Sequence, residues 1–190
     1  MIGFIKEMFR KFRLRKTIHS CDGCFFIGKN VIVLNPQCVY LAHNAGINDN
    51  CFVGPLTSYA GDVFYPKIEI GENSWLGKNC SVAAINSVTI GKNVLFAGGV
   101  HITDHSHGYT EIDKPVALQP LTSKGPVSIE DECWLGFGCE ILSGVRVGKH
   151  SVVAARSVVT KDVPPYSVVA GNPARIVKRY NHEKKQWEKV

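Results

Sequence analysis

Long apolar runs are missing from this sequence. Although 45% of its 190 residues are hydrophobic, no stretch approaches the roughly 18 to 20 apolar residues that cross a bilayer as a helix. The first residues also lack the apolar centre and small-residue cleavage site of a secretory signal peptide. These absences argue against a membrane-spanning or secreted protein. We expect a cytoplasmic globular chain with one domain.

An excess of charge of one sign is also missing once residues 1–16 are set apart. Residues 1–16 carry +5 of the chain's net charge of +6, because six basic residues there accompany one acid. The rest of the chain is nearly neutral, so we expect no nucleic-acid partner. At helical spacing, one face of the segment holds its apolar residues Ile5, Met8, Phe9 and Phe12. We predict a helix that caps the domain, with peripheral contact to the inner membrane surface as the alternative.

Paired cysteine motifs are few. Seven cysteines occur, but only Cys21 and Cys24 form a C-x-x-C, and the second pair that a zinc ribbon needs does not follow. We expect reduced thiols and no metal, with a metal-binding or redox-active C-x-x-C as the alternative. Four other cysteines occupy a position of the repeat where a small hydrophobe fits: Cys51, Cys80, Cys133 and Cys139.

A six-residue period dominates the pattern. Apolar residues recur at this spacing over residues 70–82 and 90–102. The period is strictest near the C-terminus, where all six residues are aliphatic: Ile129, Leu135, Ile141, Val147, Val153 and Val159. The period predicts an all-β solenoid, in which three six-residue sides form a coil of about 18 residues with the aliphatic side chains inside.

One long segment, residues 103–126, breaks this period and begins within the histidine cluster "HITDHSHGY". A long loop ejected from a regular solenoid is usually functional. We predict three parts: a basic amphipathic segment over residues 1–20, a solenoid domain over 21–165 with the ejected loop at 103–126, and a tail over 166–190 that ends in a short helix from about Lys178.

Three blocks of the chain resemble the hexapeptide-repeat acyltransferases: "IGENSWLGKNCSV", "IGKNVLFAGGVHITDHSHGY" and "IEDECWLGFGCEILSGVRVGKHSVVAARSVVTKDVPPYSVVAGNPARIV". They lie within residues 68–178 and resemble in particular the branch that O-acetylates sugars of lipopolysaccharide, capsule and exopolysaccharide. The resemblance implies a left-handed parallel β-helix and a homotrimer with active sites between subunits. It also implies acetyl-coenzyme A as the donor and no metal.

The resemblance further implies a histidine in the loop as general base, because the acceptor hydroxyl must lose its proton and imidazole titrates near neutral pH. Ungapped alignment places the family's catalytic histidine at His107. His105 is the alternative, and the other histidine would contact the acceptor or orient the base. We expect His101 to have an outward structural or substrate-side role.

Two further residues are candidates for acceptor binding. Asn86 lies in a two-residue slip of the repeat, close in coil register to the loop. Asp104 could contact the substrate or orient a histidine. However, adjacent side chains diverge on an extended chain, so we do not expect Asp104 to pair directly with His105.

Donor-site residues also follow from the resemblance. Trp134 corresponds to a tryptophan beside the pantetheine arm, and Phe137 and Ala155 correspond to positions whose backbone meets that arm. Arg156 replaces the family's usual glycine, which puts the local loop shape in question. Cations and hydroxyls near the nucleotide end would suit phosphate, and the corresponding residues are Thr160, Lys161 and Arg175.

Two other functions fit the repeat. The γ-type carbonic anhydrases share this solenoid and bind zinc through histidines at subunit interfaces, which His101, His105 and His107 could imitate. A non-catalytic trimeric scaffold would explain the repeat but not the histidine-rich loop. Because the tail "PPYSVVAGNPARIV" and the Trp134 strand resemble the acyltransferases, we predict an acetyl-coenzyme A-dependent O-acetyltransferase for a sugar hydroxyl, acting in surface polysaccharide or lipopolysaccharide biosynthesis.

Overall fold

The computed structural model describes the backbone of residues 2–190 and the side chains of residues 9, 10 and 12–190. Helix α1 (Ile2–Thr17) comes first, and short 3-10 helices lie at Pro36–Cys38 and Val116–Leu118. The rest is built of short strands, which are in chain order β1 (His19–Ser20), β2 (Phe25–Ile27), β3 (Ile32–Val33), β4 (Val39–Leu41), β5 (Ala45–Ile47), β6 (Phe52–Pro55), β7 (Ser58–Tyr59), β8 (Asp62–Val63), β9 (Lys67–Ile70), β10 (Trp75–Leu76), β11 (Ser81–Ala84), β12 (Ser87–Ile90), β13 (Leu95–Phe96), β14 (His101–Thr103), β15 (Ser106–His107), β16 (Leu121–Thr122), β17 (Val127–Ile129), β18 (Trp134–Leu135), β19 (Glu140–Ile141), β20 (Arg146–Val147), β21 (Val152–Val153), β22 (Val158–Val159), β23 (Ser167–Gly171), β24 (Ala174–Asn181) and β25 (Gln186–Lys189).

Three sheets form the faces of a triangular prism. Face A has the order β1-β4-β9-β12-β17-β20, face B the order β2-β5-β10-β13-β18-β21-β23-β24-β25, and face C the order β3-β6-β11-β14-β19-β22. The chain visits faces A, B and C in turn, and strands on one face pair in parallel with those of the next coil. The predicted left-handed parallel β-helix is confirmed.

The aliphatic residues of the six-residue period form the core. In register, Ile129 lies beside Val147, Leu135 beside Val153 and Ile141 beside Val159, and all six are at most 1% exposed. Full burial of each such side chain contributes roughly 1.5 to 3 kcal/mol. The four cysteines predicted to be inside are also buried, and all seven cysteines are free thiols.

The corners of the prism use asparagine. Seven asparagines adopt left-handed backbone angles, with φ between 42° and 58°: Asn30, Asn35, Asn44, Asn50, Asn73, Asn79 and Asn93. Asparagine tolerates this region better than most residues with a Cβ. The corner side chains also bond along the stack, as where Asn44 Nδ2 donates to Asn73 Oδ1 at 2.9 Å. The repeating corner residue thus favours the repeating turn.

Helix α1 packs on the first coil through residues of its C-terminal half. Leu14 is buried in the core, and Arg15 Nη2 donates to the Phe25 carbonyl at 2.8 Å. Phe9 and Phe12 are 62% and 56% exposed, while the predicted apolar partners Ile5 and Met8 lie outside the described side chains. Within the described part of the chain, no helix has the length and hydropathy to span a membrane.

The predicted C-terminal helix is wrong, because this segment forms an antiparallel hairpin on face B. β24 pairs with β23 and then with β25, and Lys178 lies between Val168 and Lys189. The rings of Tyr180 and Trp187 meet across the hairpin at 5.4 Å, the type of cross-strand pair that stabilises a sheet. The exposed edge of β23 offers backbone partners that a short isolated helix would lack.

Candidate active site

The ejected loop is an ordered structure rooted at the end of face C. After β14 the chain bends at Asp104 and forms β15, which pairs antiparallel with β16. The buried side chain of Gln119 ties the loop together. Its Nε2 donates to the carbonyls of Glu111 and Lys114, at 2.9 and 2.7 Å. The histidines at the loop's root are therefore held by a folded frame.

Asp104 is the anchor of this frame. Its side chain is fully buried, where Oδ1 accepts the Ile85 N–H at 2.8 Å and Oδ2 accepts the Asn86 N–H at 2.7 Å. Its own carbonyl accepts hydrogen bonds from the hydroxyls of Ser123 and Ser143. Hydrogen bonds to an ionised carboxylate are among the stronger ones in proteins. Neighbouring coils thus fix both the carboxylate and the bend.

Contrary to the sequence expectation, Asp104 and His105 form a direct pair. His105 Nδ1 lies 2.9 Å from Asp104 Oδ1, and the imidazole is only 11% exposed. The expectation assumed an extended chain, whereas the backbone bends at Asp104 and brings the two side chains to the same side. A carboxylate on Nδ1 favours the tautomer with its proton there and leaves the lone pair on Nε2, as a general base requires.

The other two histidines have different surroundings. His107 is exposed on β15, and its ring contacts Tyr59 edge-on with centroids 5.2 Å apart. His101 points outward from β14, and burial lowers its pKa, so it is neutral at physiological pH. A general base of this kind needs a carboxylate on Nδ1, and the buried carboxylate of Asp104 bonds to His105. The geometry therefore favours His105 over His107 as the base.

The two acceptor candidates lie at the root of the loop but differ in access. Asn86 is exposed, and its Nδ2 donates to Ser123 Oγ at 2.9 Å, so its predicted role in acceptor binding stays a prediction. Asp104 is fully buried with both oxygens bonded. A direct contact with an acceptor, as expected for Asp104, does not fit this position. Its geometry is that of a residue that positions His105.

Sequence reasoning missed Tyr59. This residue lies in the hairpin of β7 and β8, which leaves the prism after β6. Its hydroxyl donates to the Ala117 carbonyl at 2.7 Å and its ring packs against His107. A second insertion therefore braces the ejected loop. The loss of the six-residue period between Val53 and Ile68, in a stretch with three aromatic residues, could have indicated it.

The predicted pantetheine-side residues lie on face B and at the corner that follows it, here called the B–C edge. Trp134 is 50% exposed and lies in register between Leu95 and Val152. At the corner, the Arg156 guanidinium lies over the Phe137 ring at 4.9 Å. Arg156 keeps a left-handed φ of 59°. The corner therefore retains its turn despite the substitution for glycine.

The predicted phosphate-side residues lie nearer the C-terminal end. Lys161 and Arg175 line one cavity of about 350 Å³, together with Val169 and Ile176. Thr160 is exposed and immediately follows β22. The structure thus brings two of the three predicted residues together, and both are cationic, as phosphate binding would require.

One chain does not bring the histidine and the donor residues to the same place. His105 follows a strand of face C and lies at the corner between faces C and A, the C–A edge. Trp134, Phe137 and Ala155 lie on the other side of face C, on face B or at the B–C edge. A full strand of face C separates the two groups.

The fold and loop define a hexapeptide-repeat β-helix that carries a carboxylate-supported histidine. The sequence model of the family "Hexapeptide repeat of succinyl-transferase" matches residues 67–104 and 126–161. Galactoside O-acetyltransferase of Escherichia coli K12 is 32% identical over 144 residues, which cover 75% of this chain and 68% of that protein. The chain belongs to the hexapeptide-repeat acyltransferase family.

Two further relatives agree. WbbJ of Escherichia coli K12, provisionally named a lipopolysaccharide biosynthesis O-acetyl transferase, is 40% identical over 130 residues, covering 65% of this chain and 66% of WbbJ. The crystal structure of a maltose O-acetyltransferase from Clostridium difficile 630 superposes with a TM-score of 0.58 at 25% identity, covering 91% of this chain and 75% of that one. The chain spans about two thirds of the length of the curated relatives described here.

Proposed function

We propose that the protein transfers an acetyl group from acetyl-coenzyme A to a hydroxyl of a sugar, with His105 as the general base. The observation that carries this proposal is the buried Asp104–His105 pair, at 2.9 Å, at the root of a loop ejected from a hexapeptide-repeat β-helix. Family membership supplies the reaction class, and the pair supplies the group that an alcohol nucleophile needs.

The proposed reaction begins with the acceptor hydroxyl at His105 Nε2. As the oxygen attacks the thioester carbonyl, its proton passes to Nε2, and the negative Asp104 stabilises the imidazolium that forms. The tetrahedral intermediate then expels the coenzyme A sulfur, which takes the proton from Nε2. The products are the O-acetyl sugar and the free thiol. A positioned base typically contributes roughly 10²- to 10⁴-fold to such a step.

The coenzyme A site would run along the B–C edge. The half-exposed ring of Trp134 offers an apolar wall for the pantetheine arm, and the ring of Phe137 lies at the next corner. Lys161 and Arg175 share a cavity at the end of the prism, where they would balance phosphate charge. These surfaces fit the donor that the family resemblance implies.

A homotrimer would join the two separated groups. Because His105 and Trp134 lie on opposite sides of face C, a complete site requires a second copy whose B–C edge faces the first copy's loop. Cyclic symmetry repeats such a contact around a closed ring.

A reducing cytoplasm fits the seven free thiols, of which Cys21 and Cys24 are exposed.

The acceptor would be a sugar of a surface polysaccharide or lipopolysaccharide. The names of the relatives support this class, since they refer to lipopolysaccharide biosynthesis, galactosides and maltose.

The carbonic anhydrase alternative has less support. The curated relatives described above are named acetyltransferases.

The proposal is tested by thiol release from acetyl-coenzyme A in the presence of a panel of nucleotide sugars and glycans. The shared site is tested by co-expressing His105→Ala and Trp134→Ala chains with different tags and purifying the mixed assembly. If sites form between copies, roughly one of the three sites in each mixed trimer has both wild-type residues, because only one of its three interfaces joins an intact His105 to an intact Trp134. Activity should then exceed that of either variant alone. Absence of thiol release with every acceptor would contradict the transferase, and an unrestored mixture would contradict the shared site.

A further inference from the structure

The first two coils meet at a corner that is rich in metal-ligand side chains. Residues 21–24 form the corner between β1 and β2, and residues 42–44 form the corner between β4 and β5. Because β1 pairs with β4 and β2 pairs with β5, the two corners stack. The C-x-x-C of the sequence thereby comes to lie beside His43, which follows it by about 20 residues.

The ligand atoms of three residues converge there. Asp22 Oδ2 lies 2.5 Å from His43 Nδ1, and the ligand atoms of Asp22, Cys24 and His43 all lie within 4.8 Å of one another. The Cys24 N–H donates to Asp22 Oδ1 at 2.8 Å, and Cys21 directly precedes Asp22 in the same corner. Gly23 has a φ of 73°, which allows the short turn that folds the two cysteines around Asp22.

A corner further along the prism provides a comparison. At the same A–B position, His150 Nδ1 lies 3.2 Å from Glu132 Oε2, so a histidine–carboxylate pair between stacked corners is an ordinary feature of this molecule. The nearest cysteine there, Cys133, is buried in the core. The first corner differs because it has two exposed thiols, which fill no packing position. The role of such a cysteine usually lies in its reactivity or in metal ligation.

We propose that Cys24, His43 and Asp22, with Cys21 as the fourth ligand, bind one zinc ion that joins the first coil to the second. Two thiolates, an imidazole and a carboxylate form a donor set that zinc prefers. Zn–S bonds of about 2.3 Å and Zn–N bonds of about 2.0 Å in a tetrahedron place ligand atoms about 3 to 4 Å apart. The ligand atoms of Asp22, Cys24 and His43 have a comparable spacing, and Cys21 would complete the set. His43 and Asp22 take the place of the second cysteine pair that the sequence lacks.

The proposed ion has a structural role. The site lies at the A–B edge of the first two coils, whereas His105 lies at the C–A edge of a later coil. It would fasten the first coil, which has a neighbouring coil on only one side and is covered by α1. This site is independent of the proposed transferase chemistry, and its test does not use activity.

The test uses the full-length protein, reduced and stripped of metal with a chelator. Zn²⁺ is titrated in competition with a chromophoric indicator, and Co²⁺ is titrated separately to record thiolate-to-metal charge transfer and the visible bands of tetrahedral cobalt. We expect one equivalent of either metal. Cys24→Ser and His43→Gln should each raise the Kd for Zn²⁺ at least about tenfold, and Cys21→Ser should roughly halve the charge-transfer intensity.

Two matched variants serve as controls. Cys38→Ser removes a thiol outside the cluster, and His150→Gln removes the histidine of the comparison corner, so both should bind Zn²⁺ as the wild type does. Melting curves without metal show whether a variant that binds poorly is still folded. Added Zn²⁺ should raise the Tm of the wild type and not that of Cys24→Ser. Failure to bind one equivalent, or equal binding by Cys24→Ser and the wild type, would overturn the proposal.

Discussion

The carboxylate of Asp104 bonds to the imidazole of His105, the next residue along the chain, at 2.9 Å. Neighbouring residues rarely form such a pair in a β-rich segment, because alternate side chains point to opposite faces. Here the bend at Asp104 is held from both sides, by the Ile85 and Asn86 N–H groups of the preceding coil and by Ser143 of the following one. The prism thus builds the pair that we assign to catalysis.

Replacement of each loop histidine by alanine shows whether His105 or His107 is the general base. His105→Ala should lower kcat by roughly 10²- to 10⁴-fold, because the acceptor loses its base, and it should leave coenzyme A affinity nearly unchanged. His107→Ala should chiefly raise the acceptor KM, as expected of a residue that only contacts the sugar. Steady-state kinetics with binding measurements distinguish them. The reverse pattern would return the base to His107, the position that the ungapped alignment indicates.

Replacement of the anchor should have nearly the same effect as loss of the base. Asp104→Asn keeps the size of the side chain but removes the charge that stabilises the imidazolium, so we expect kcat to fall by about 10²- to 10⁴-fold. Coenzyme A affinity should be preserved, since Trp134 and Arg175 lie on other coils. Single-turnover kinetics would measure the loss. An Asp104→Asn enzyme with normal turnover would show that the pair has no part in the reaction.

The brace of the loop is tested by Tyr59→Phe. This change keeps the ring beside His107 but removes the hydroxyl that donates to Ala117, a bond of a type that contributes roughly 0.5 to 1.5 kcal/mol. We expect faster hydrogen exchange over residues 108–120 and a higher acceptor KM. Tyr65→Phe, which alters a tyrosine that is 90% exposed, serves as the control. Identical exchange in the Tyr59 variant and the wild type would contradict the brace.

The donor site should respond to salt in two different ways. Trp134→Ala should weaken coenzyme A binding by a similar factor at low and high salt, because the ring contributes apolar contact. For Arg175→Ala and Lys161→Ala the loss should shrink as salt rises, because exposed charge interactions are screened. Calorimetric titration at two ionic strengths measures both. A salt-dependent loss in Trp134→Ala, or a salt-independent one in both cation variants, would contradict the assigned ends of the site.

Stability below neutral pH should depend on His101. Burial lowers the pKa of His101, so the unfolded state, with an ordinary value of about 6.5, binds the proton more readily than the folded state. Stability is therefore lost as the pH falls below about 6.5. His101→Gln should reduce this loss, with each kcal/mol retained raising the Tm by about 2 to 4 °C. Melting curves of both proteins from neutral to mildly acid pH test it, and parallel curves would count against it.

The six-residue period determined the prism from the sequence alone. A column of aliphatic residues can be buried only if each recurs at the same point of every coil, so Ile129, Leu135 and Ile141 predicted the core before any contact was known. The donor positions Trp134 and Arg175 came from the family resemblance, which covers the regular coils and the residues directly after them, and they stay predictions. In these regions, the six-residue spacing along the chain and the burial of the aliphatic side chains both follow from the repeating coil.

Other features depended on contacts between distant segments. The C-terminal residues after Lys178 form strands because β23 offers an unpaired edge, which no local propensity reveals. Asp104 meets His105, and His43 meets Cys24, because stacked coils hold the backbone where neither spacing nor periodicity would place it. The sequence by itself thus determined the coil through a repeating pattern of burial, and its resemblance to the hexapeptide-repeat acyltransferases indicated the reaction class. Only the tertiary structure decided the partners of the polar side chains, because hydrogen bonds from neighbouring coils set the direction in which each corner points.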